Sequence, residues 1–358
     1  MKLGKVKHIF IGIILTLSVS YSQAQSERQI FEFEFEGVTL NGVLNLPNDK
    51  EPKGLVLLVH GSGRTNAVEQ EWYSDIRESI VKNGYATYMW DKMGCGKSGG
   101  TFDYNQSVYN SADEVIAAIN TLKKQQIPGS ESIGLYGGSR ATWINPIVIG
   151  QYDEIKFWIS VSGVDDKENW GYLLQQNLRI EGMAEDSIQL IYNQWVEGNR
   201  IYNSGGSFEA YMNATKELRT NPFRLRFTGE TIGEVDQEDE KKRYYSGQKL
   251  FMKEKLDEET GLQIVVEDFD RILSNVNIPV LALFGEKDMN VDWKKTKALY
   301  EQIIAPKTDL TVKSFPSCNH NIIKCETGGF YEFQDNDIPY ERCDGFLDAI
   351  EEWLKEID

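Results

Sequence analysis

The residues that point most directly to chemistry are Gly137-Gly138-Ser139-Arg140-Ala141, which follow an apolar run ending at Tyr136. A serine on a tight strand-to-helix turn is lifted above the edge of a sheet. Small residues two before and two after it let that turn close without clashes. Gly137 and Ala141 fill those positions, and Ala141 is a modest departure because glycine is more usual there. The helix that follows directs its positive N-terminal end at the serine and favours developing negative charge. The competing reading of Ser139 is a plain helix cap. A serine nucleophile needs a proton acceptor, and the chain has three histidines. His8 lies in a segment read below as a removed leader. His60 belongs to the glycine-rich run His60-Gly61-Ser62-Gly63 and is expected to point away from the nucleophile. His320, in "SFPSCNHNI", is left as the base. The chemistry these residues suggest is acyl transfer to Ser139 with His320 carrying the proton.

Such residues must be held by a sheet. "FEFEFEGVTLNGVLNLP" alternates apolar and polar residues and reads as two strands with a turn near Glu36-Gly37. "GLVLLVHGSG", "YATYMWD", "SIGLYGG" and "IKFWISVSG" are short apolar runs that suit buried parallel strands. Helical segments are expected over 68–82 and 108–123 and after Ala141. From Val164 to about Glu267 the rhythm breaks into helical, irregular sequence with an acidic cluster at Glu234, Asp236, Glu238, Asp239 and Glu240. Alternation resumes with "IPVLALFGEKD", a helix over 293–304, a strand over 310–315 and a final helix over 340–355. This is an α/β pattern: a mostly parallel central sheet covered by helices on both faces. It divides the chain into a core of residues 25–163 and 268–358 and a helical cap insertion over 164–267.

Composition narrows the function. Of 358 residues, 41% are hydrophobic, which argues against wholesale disorder. Thirty-eight basic residues against 55 acidic ones give a net charge of −17. Phosphate backbones and anionic membranes repel such a chain, so nucleic-acid and peripheral membrane binding are not expected. Lys2, Lys5 and Lys7, an apolar stretch from Ile9 to about Val19, and Ser22-Gln23-Ala24 before Gln25 have the layout of a secretory signal peptide over residues 1–24. An uncleaved anchor is the alternative. The expectation is export to the periplasm or medium, with no stable membrane insertion after cleavage. An oxidising compartment permits disulfides among Cys95, Cys318, Cys325 and Cys343. The pairing is open; a Cys325–Cys343 staple around the loop between them competes with four free thiols. The spacing does not suit structural zinc, and "GCGKS" lacks the leading glycine of a P-loop because residue 91 is aspartate. That loop reads as structural support beside the site.

Taken in order, "GVTLNGVLNLP", "LLVHGSG", "WDKMGCGKSGG", "YGGSRA", "FGEKD" and "NHNI" resemble the α/β-hydrolase superfamily. The likeness is greatest to secreted bacterial serine esterases and the related dienelactone-hydrolase-like and serine-aminopeptidase-like groups. It covers nearly all of the chain after residue 24 except the cap. The resemblance implies an oxyanion hole formed by the backbone amides of Ser62 and Arg140. It also implies an acid at Asp288 orienting His320, in the order Ser139, Asp288, His320, with Asp292 and Asp165 or Asp166 as rivals. Hydrolysis would pass through an acyl-enzyme and require no metal or organic cofactor. The Arg140 side chain has two readings, an anchor for a substrate carboxylate or a partner of a nearby acid. Trp170, Tyr172, Tyr192 and Trp195 either line an acyl pocket or form cap core. The expected activity is hydrolysis of small-molecule carboxylic esters with small or medium acyl groups. An aminopeptidase-like amidase or thioesterase with the same triad is the close rival, and a non-catalytic binding protein on this fold is the distant one.

Overall fold

β1 (Glu27–Phe35) and β2 (Val38–Leu46) pair antiparallel around Glu36 and Gly37, whose φ angles of 50° and 75° are both positive. A two-residue turn of that hand matches the twist of its strands. The computed structural model describes residues 26–48, 50–229, 237–251 and 255–357. Residues 1–24, expected as a leader, and Glu234 and Asp236 of the acidic cluster lie outside them. The chain continues through β3 (Leu55–Val59), α1 (Ser74–Lys82), β4 (Ala86–Trp90), α2 (Val108–Lys124), β5 (Ile133–Gly138), α3 (Ala141–Gln151) and β6 (Ile155–Val161). Among the described residues there follow α4 (Trp170–Ile180), α5 (Glu185–Asn203), α6 (Phe208–Ala214), α7 (Lys216–Thr220), α8 (Pro222–Thr228) and α9 (Gln237–Phe251). Then come α10 (Phe269–Leu273), β7 (Val280–Gly285), α11 (Trp293–Ile303), β8 (Leu310–Phe315), α12 (Glu332–Asp335) and α13 (Phe346–Glu356).

The eight strands form one sheet in the order β1-β2-β4-β3-β5-β6-β7-β8, parallel from β4 to β8. Residues of β3 and β4 are buried throughout, as strands covered on both faces must be. One face packs against α2, α3, α10 and α11 through Val115, Ile144, Phe269 and Tyr300. The other packs against α1 and α13 through Ile76, Ile80, Ile350 and Trp353. Helices α4, α5, α7 and α8 gather a separate apolar cluster that includes Leu174, Ile188, Leu218 and Phe223. Among the described residues no helix is long and apolar enough to cross a membrane.

Two helices begin later than the sequence suggests. α1 starts at Ser74, because Glu71 and Tyr73 turn the chain at φ 52° and 55°. α13 starts at Phe346 after Gly345 at φ 78°. The stretch before it runs extended, with Arg342 bridged to Ile323. That pairing also corrects the cysteine expectation. The disulfide is Cys318–Cys343, Cys95 is free and buried, and Cys325 is free and partly exposed. Segment 317–325 folds back on itself, Cys318 opposite Lys324, and the Cys343 amide donates to the Ile322 carbonyl. Cys343 is thereby laid against the arm that carries Cys318 rather than against Cys325.

Candidate active site

Ser139 lies between β5 and α3 with φ 54°, a left-handed conformation that is uncommon for a residue with a side chain. Such a residue persists only where its surroundings fix it. Its amide donates to the Val161 carbonyl on β6 at 3.0 Å, and its carbonyl accepts from the Thr142 amide and hydroxyl, each at 2.8 Å. The glycine requirement is steric. A Cβ on Gly137 would lie 2.7 Å from the Ala141 Cβ and 2.6 Å from Asn145 Nδ2. With Gly137 bare, alanine fits at 141.

His320 sits on the loop after β8. Its Nδ1 pairs with Asp288 Oδ2 at 2.7 Å, and Asp288 is buried. The other carboxylate oxygen, Oδ1, accepts from the amides of Asn290 and Val291, both at 2.9 Å. Asp288 therefore has one oxygen fixed by its own loop and one for the imidazole. Burial pulls the His320 pKa down, but the charge and hydrogen bond of Asp288 outweigh it and the net shift is upward. The loop itself is tethered. Ser162 Oγ donates to the His320 carbonyl at 2.6 Å, and Asn319 Oδ1 accepts from the amides of Asn321 and Ile323. Gly285 at the end of β7 lets the loop pass, since a Cβ there would lie 2.3 Å from the Asn319 carbonyl.

The rival acids are engaged elsewhere. Asp292 caps α11 through the Lys295 amide, and Asp165 is ion-paired with Lys295. His60 is buried with Nε2 bonded to the Trp90 carbonyl at 2.6 Å. Burial first, and the nearby charge of Lys92 second, hold its pKa at about 3, so it is neutral. Asp91 organises the glycine-rich loop after β4. Its carboxylate accepts from Asn41 Nδ2 and from the amides of Val68 and Lys97, and a Cβ on Gly96 would strike it at 2.1 Å.

Ser139, His320, Gly61, Ser62 and Arg140 border one cavity of about 1250 Å³. Among the described residues the Arg140 guanidinium is not paired directly with an acid. It donates to the Gln106 carbonyl and to Ser111 Oγ, and Gln106 in turn donates to Glu114. Of the four cap aromatics, Trp170 reaches the cavity wall. Trp195 stacks behind it at 5.4 Å between ring centroids, with Tyr192 beyond at 5.9 Å, while the Tyr172 hydroxyl donates to the Asp288 carbonyl at 3.4 Å. Glu168 also lies in the wall. Burial raises its pKa to about 7 against the hydrogen bonds from the Trp170 and Gly171 amides, and its Oε1 has no partner among the described residues. Ser162 and Glu168 carry no spacing signal in the sequence, and Lys92 lies in the run "WDKMGCGKSGG" without any signal of where its side chain reaches. Only the fold brings them to the site.

Residues 50–153 match the family model of the serine aminopeptidases, S33. That stretch runs past β3 to the end of α3 and contains Ser62, Lys92 and Ser139 but neither Asp288 nor His320. No curated protein matches the chain. Among solved structures, the chain is similar to a highly thermostable carboxyl esterase from Bacillus coagulans, at 16% identity over 92% of this chain and 98% of that one, with a TM-score of 0.51. It is also similar to the Pyrococcus furiosus esterase Pf2001, at 16% identity over 92% and 91%, with a TM-score of 0.50. A third likeness is to DcsB, at 16% identity over 92% and 99%, with a TM-score of 0.52. Identities this low speak to fold. Sheet order, elbow and family match together are those of the α/β-hydrolase fold.

Proposed function

We propose that the protein is an exported serine hydrolase that cleaves small-molecule carboxylic esters. The observation that carries this reading is His320, paired with the buried Asp288, on the wall of the cavity that Ser139 also lines. Ser139 Oγ attacks the ester carbonyl and passes its proton to His320 Nε2, the nitrogen left over once Nδ1 is bound to Asp288. The carbonyl oxygen becomes an oxyanion held by the amides of Ser62 and Arg140. Collapse expels the alcohol, which takes the proton from His320, and leaves an acyl-serine. Water then adds to the acyl-serine with His320 again accepting its proton; collapse breaks the bond to Ser139 Oγ, which takes that proton back from His320, and the acid departs. Export is supported by the leader pattern over 1–24 and by the disulfide, which suits an oxidising compartment.

The serine aminopeptidase match favours a second reading in which the scissile bond is an amide beside a free amine. The unpartnered carboxyl oxygen of Glu168 at the cavity wall is compatible with an ammonium group. Matched ester, thioester and aminoacyl-amide substrates with one acyl group separate the two. The ester reading expects fastest turnover of the ester and thioester. Turnover of the amide alone would replace it with the aminopeptidase reading.

A further inference from the structure

Lys92 follows the last residue of β4 by two positions, and its side chain is buried beneath the loop after β3. Nζ donates to the carbonyl of Gly61 at 2.6 Å and to that of Gly63 at 2.7 Å. Among the described residues no carboxylate lies within ion-pair distance of it. A buried ammonium without a carboxylate is costly to keep, and here its hydrogen bonds go to two carbonyls that bracket Ser62.

We propose that Lys92 is the positioning residue that aims the Ser62 amide into the oxyanion hole. A trans peptide is planar, so the carbonyl of Gly61 and the N–H of Ser62 point in opposite directions. Holding the Gly61 oxygen on the Lys92 side turns the Ser62 N–H to the other side. The loop there meets the nucleophile's turn, since a Cβ on Gly61 would lie 3.3 Å from the Gly138 carbonyl and 3.9 Å from the Ser139 Cβ. Gly61 and Gly63, the latter at φ 78°, leave this backbone free to rotate. Without the ammonium the peptide can flip, and its carbonyl would then face the developing oxyanion. The inference rests on the serine hydrolase reading and adds to it what keeps the hole formed before substrate arrives.

Charge around Lys92 gives a second handle. Burial, then Arg140, lower its pKa to about 8, against Glu114 and Cys95, which raise it. The neighbouring imidazole of His60 is uncharged at this pH. Lys92 is therefore the facing group that loses its proton at mildly alkaline pH, and kcat should fall as it does.

The test compares wild type, Lys92→Met and Lys92→Arg on p-nitrophenyl butyrate, together with the affinity of each for phenylboronic acid, which forms a tetrahedral adduct on the serine. Removing one oxyanion donor costs about 10²–10³ in kcat. Lys92→Met should lose about that much with KM changed less than about threefold, and boronate affinity should fall in parallel. Lys92→Arg should recover most of kcat and move the alkaline limb to higher pH, because guanidinium stays charged. A folded Lys92→Met with kcat within about threefold of wild type, or a loss confined to KM, would overturn the assignment. Should Lys92→Met not fold, the Arg variant decides. A displaced alkaline limb supports the role and an unchanged one removes it. Wild type that neither turns over esters nor reacts with a fluorophosphonate would sink the hydrolase reading and this inference with it. A reactive wild type with an indifferent Lys92 sinks only the latter.

Discussion

The turn that bears Ser139 and the loop that bears His320 reach the same cavity by opposite means. The serine is set locally. β5 ends, α3 begins three residues later, and neighbours within ten residues in sequence (Gly137 with Ala141 and Asn145, Ser139 with Thr142) fix the strained residue between them, with one bond from its amide to Val161 on the adjacent strand. The histidine is set from a distance. Its partners come from the loop after β7 (Asp288), the end of β6 (Ser162) and the segment before α13 (Cys343). The difference has a mechanical consequence. Damage to the elbow is steric and hard to separate from folding. Damage to the histidine loop loosens one tether at a time and should grade activity while leaving the core intact.

The largest expected effect comes from Asp288→Asn, which removes the charge that favours the imidazolium and permits the wrong tautomer. In comparable triads the loss in kcat is about 10⁴. The pH profile gives its sign independently. Only neutral His320 can accept the serine proton, and its pKa is raised by Asp288, so wild-type kcat/KM should rise with pH through an acid limb above the ordinary histidine range of about 6.5. In the Asn variant that limb should move to lower pH. An unmoved limb would mean that another group titrates.

Next in size is the disulfide. Cys343→Ser opens a bridge across 25 residues, which corresponds to about 3 kcal/mol of stability on the loop-closure account. Urea unfolding should show that loss, and kcat should fall further than it does for substitutions in α13 away from the loop. If stability drops while kcat is untouched, the tether holds α13 but not His320. On the elbow side, Gly137→Val should cost about 1–3 kcal/mol of stability by overpacking against Ala141 and Asn145, with activity lost in the same protein. Retained activity would mean that the turn can widen, and the contrast between the two regions would blunt. The smallest effect is expected from Ser162→Ala, which deletes one hydrogen bond to the His320 carbonyl worth about 1 kcal/mol. It should lower kcat by no more than about tenfold and lower stability to urea by only about 1 kcal/mol.

The same contrast explains what could be read from the sequence. Apolar runs and periodicity gave the strands, and β8 and α2 agree with the sequence pattern to within a residue. The elbow is local, so its glycine and alanine positions were legible as a string. The pairing of Cys318 with Cys343 was not, because it depends on segment 317–325 folding back and on Arg342 lying beside Ile323. The start of α13 differs from the sequence pattern for the same reason, since 340–345 belongs to that pairing rather than to the helix. Ser162 and Glu168 are single polar residues beside apolar strands or loops, and no spacing distinguishes them from ordinary surface residues; Lys92 lies in the run "WDKMGCGKSGG", which marks the loop but not where this side chain reaches. The bonds of Ser162 and Lys92 go to atoms contributed by distant segments.

The central claim is that Ser139 is the nucleophile of an ester hydrolase. The most direct measurement is hydrolysis of p-nitrophenyl acetate, butyrate and octanoate by purified wild type beside Ser139→Ala. The account predicts turnover by wild type and only background from the variant. The chain-length preference would then report on the cavity beneath α4 and α8. Equal rates from the two proteins, or no turnover by a folded wild type, would contradict it.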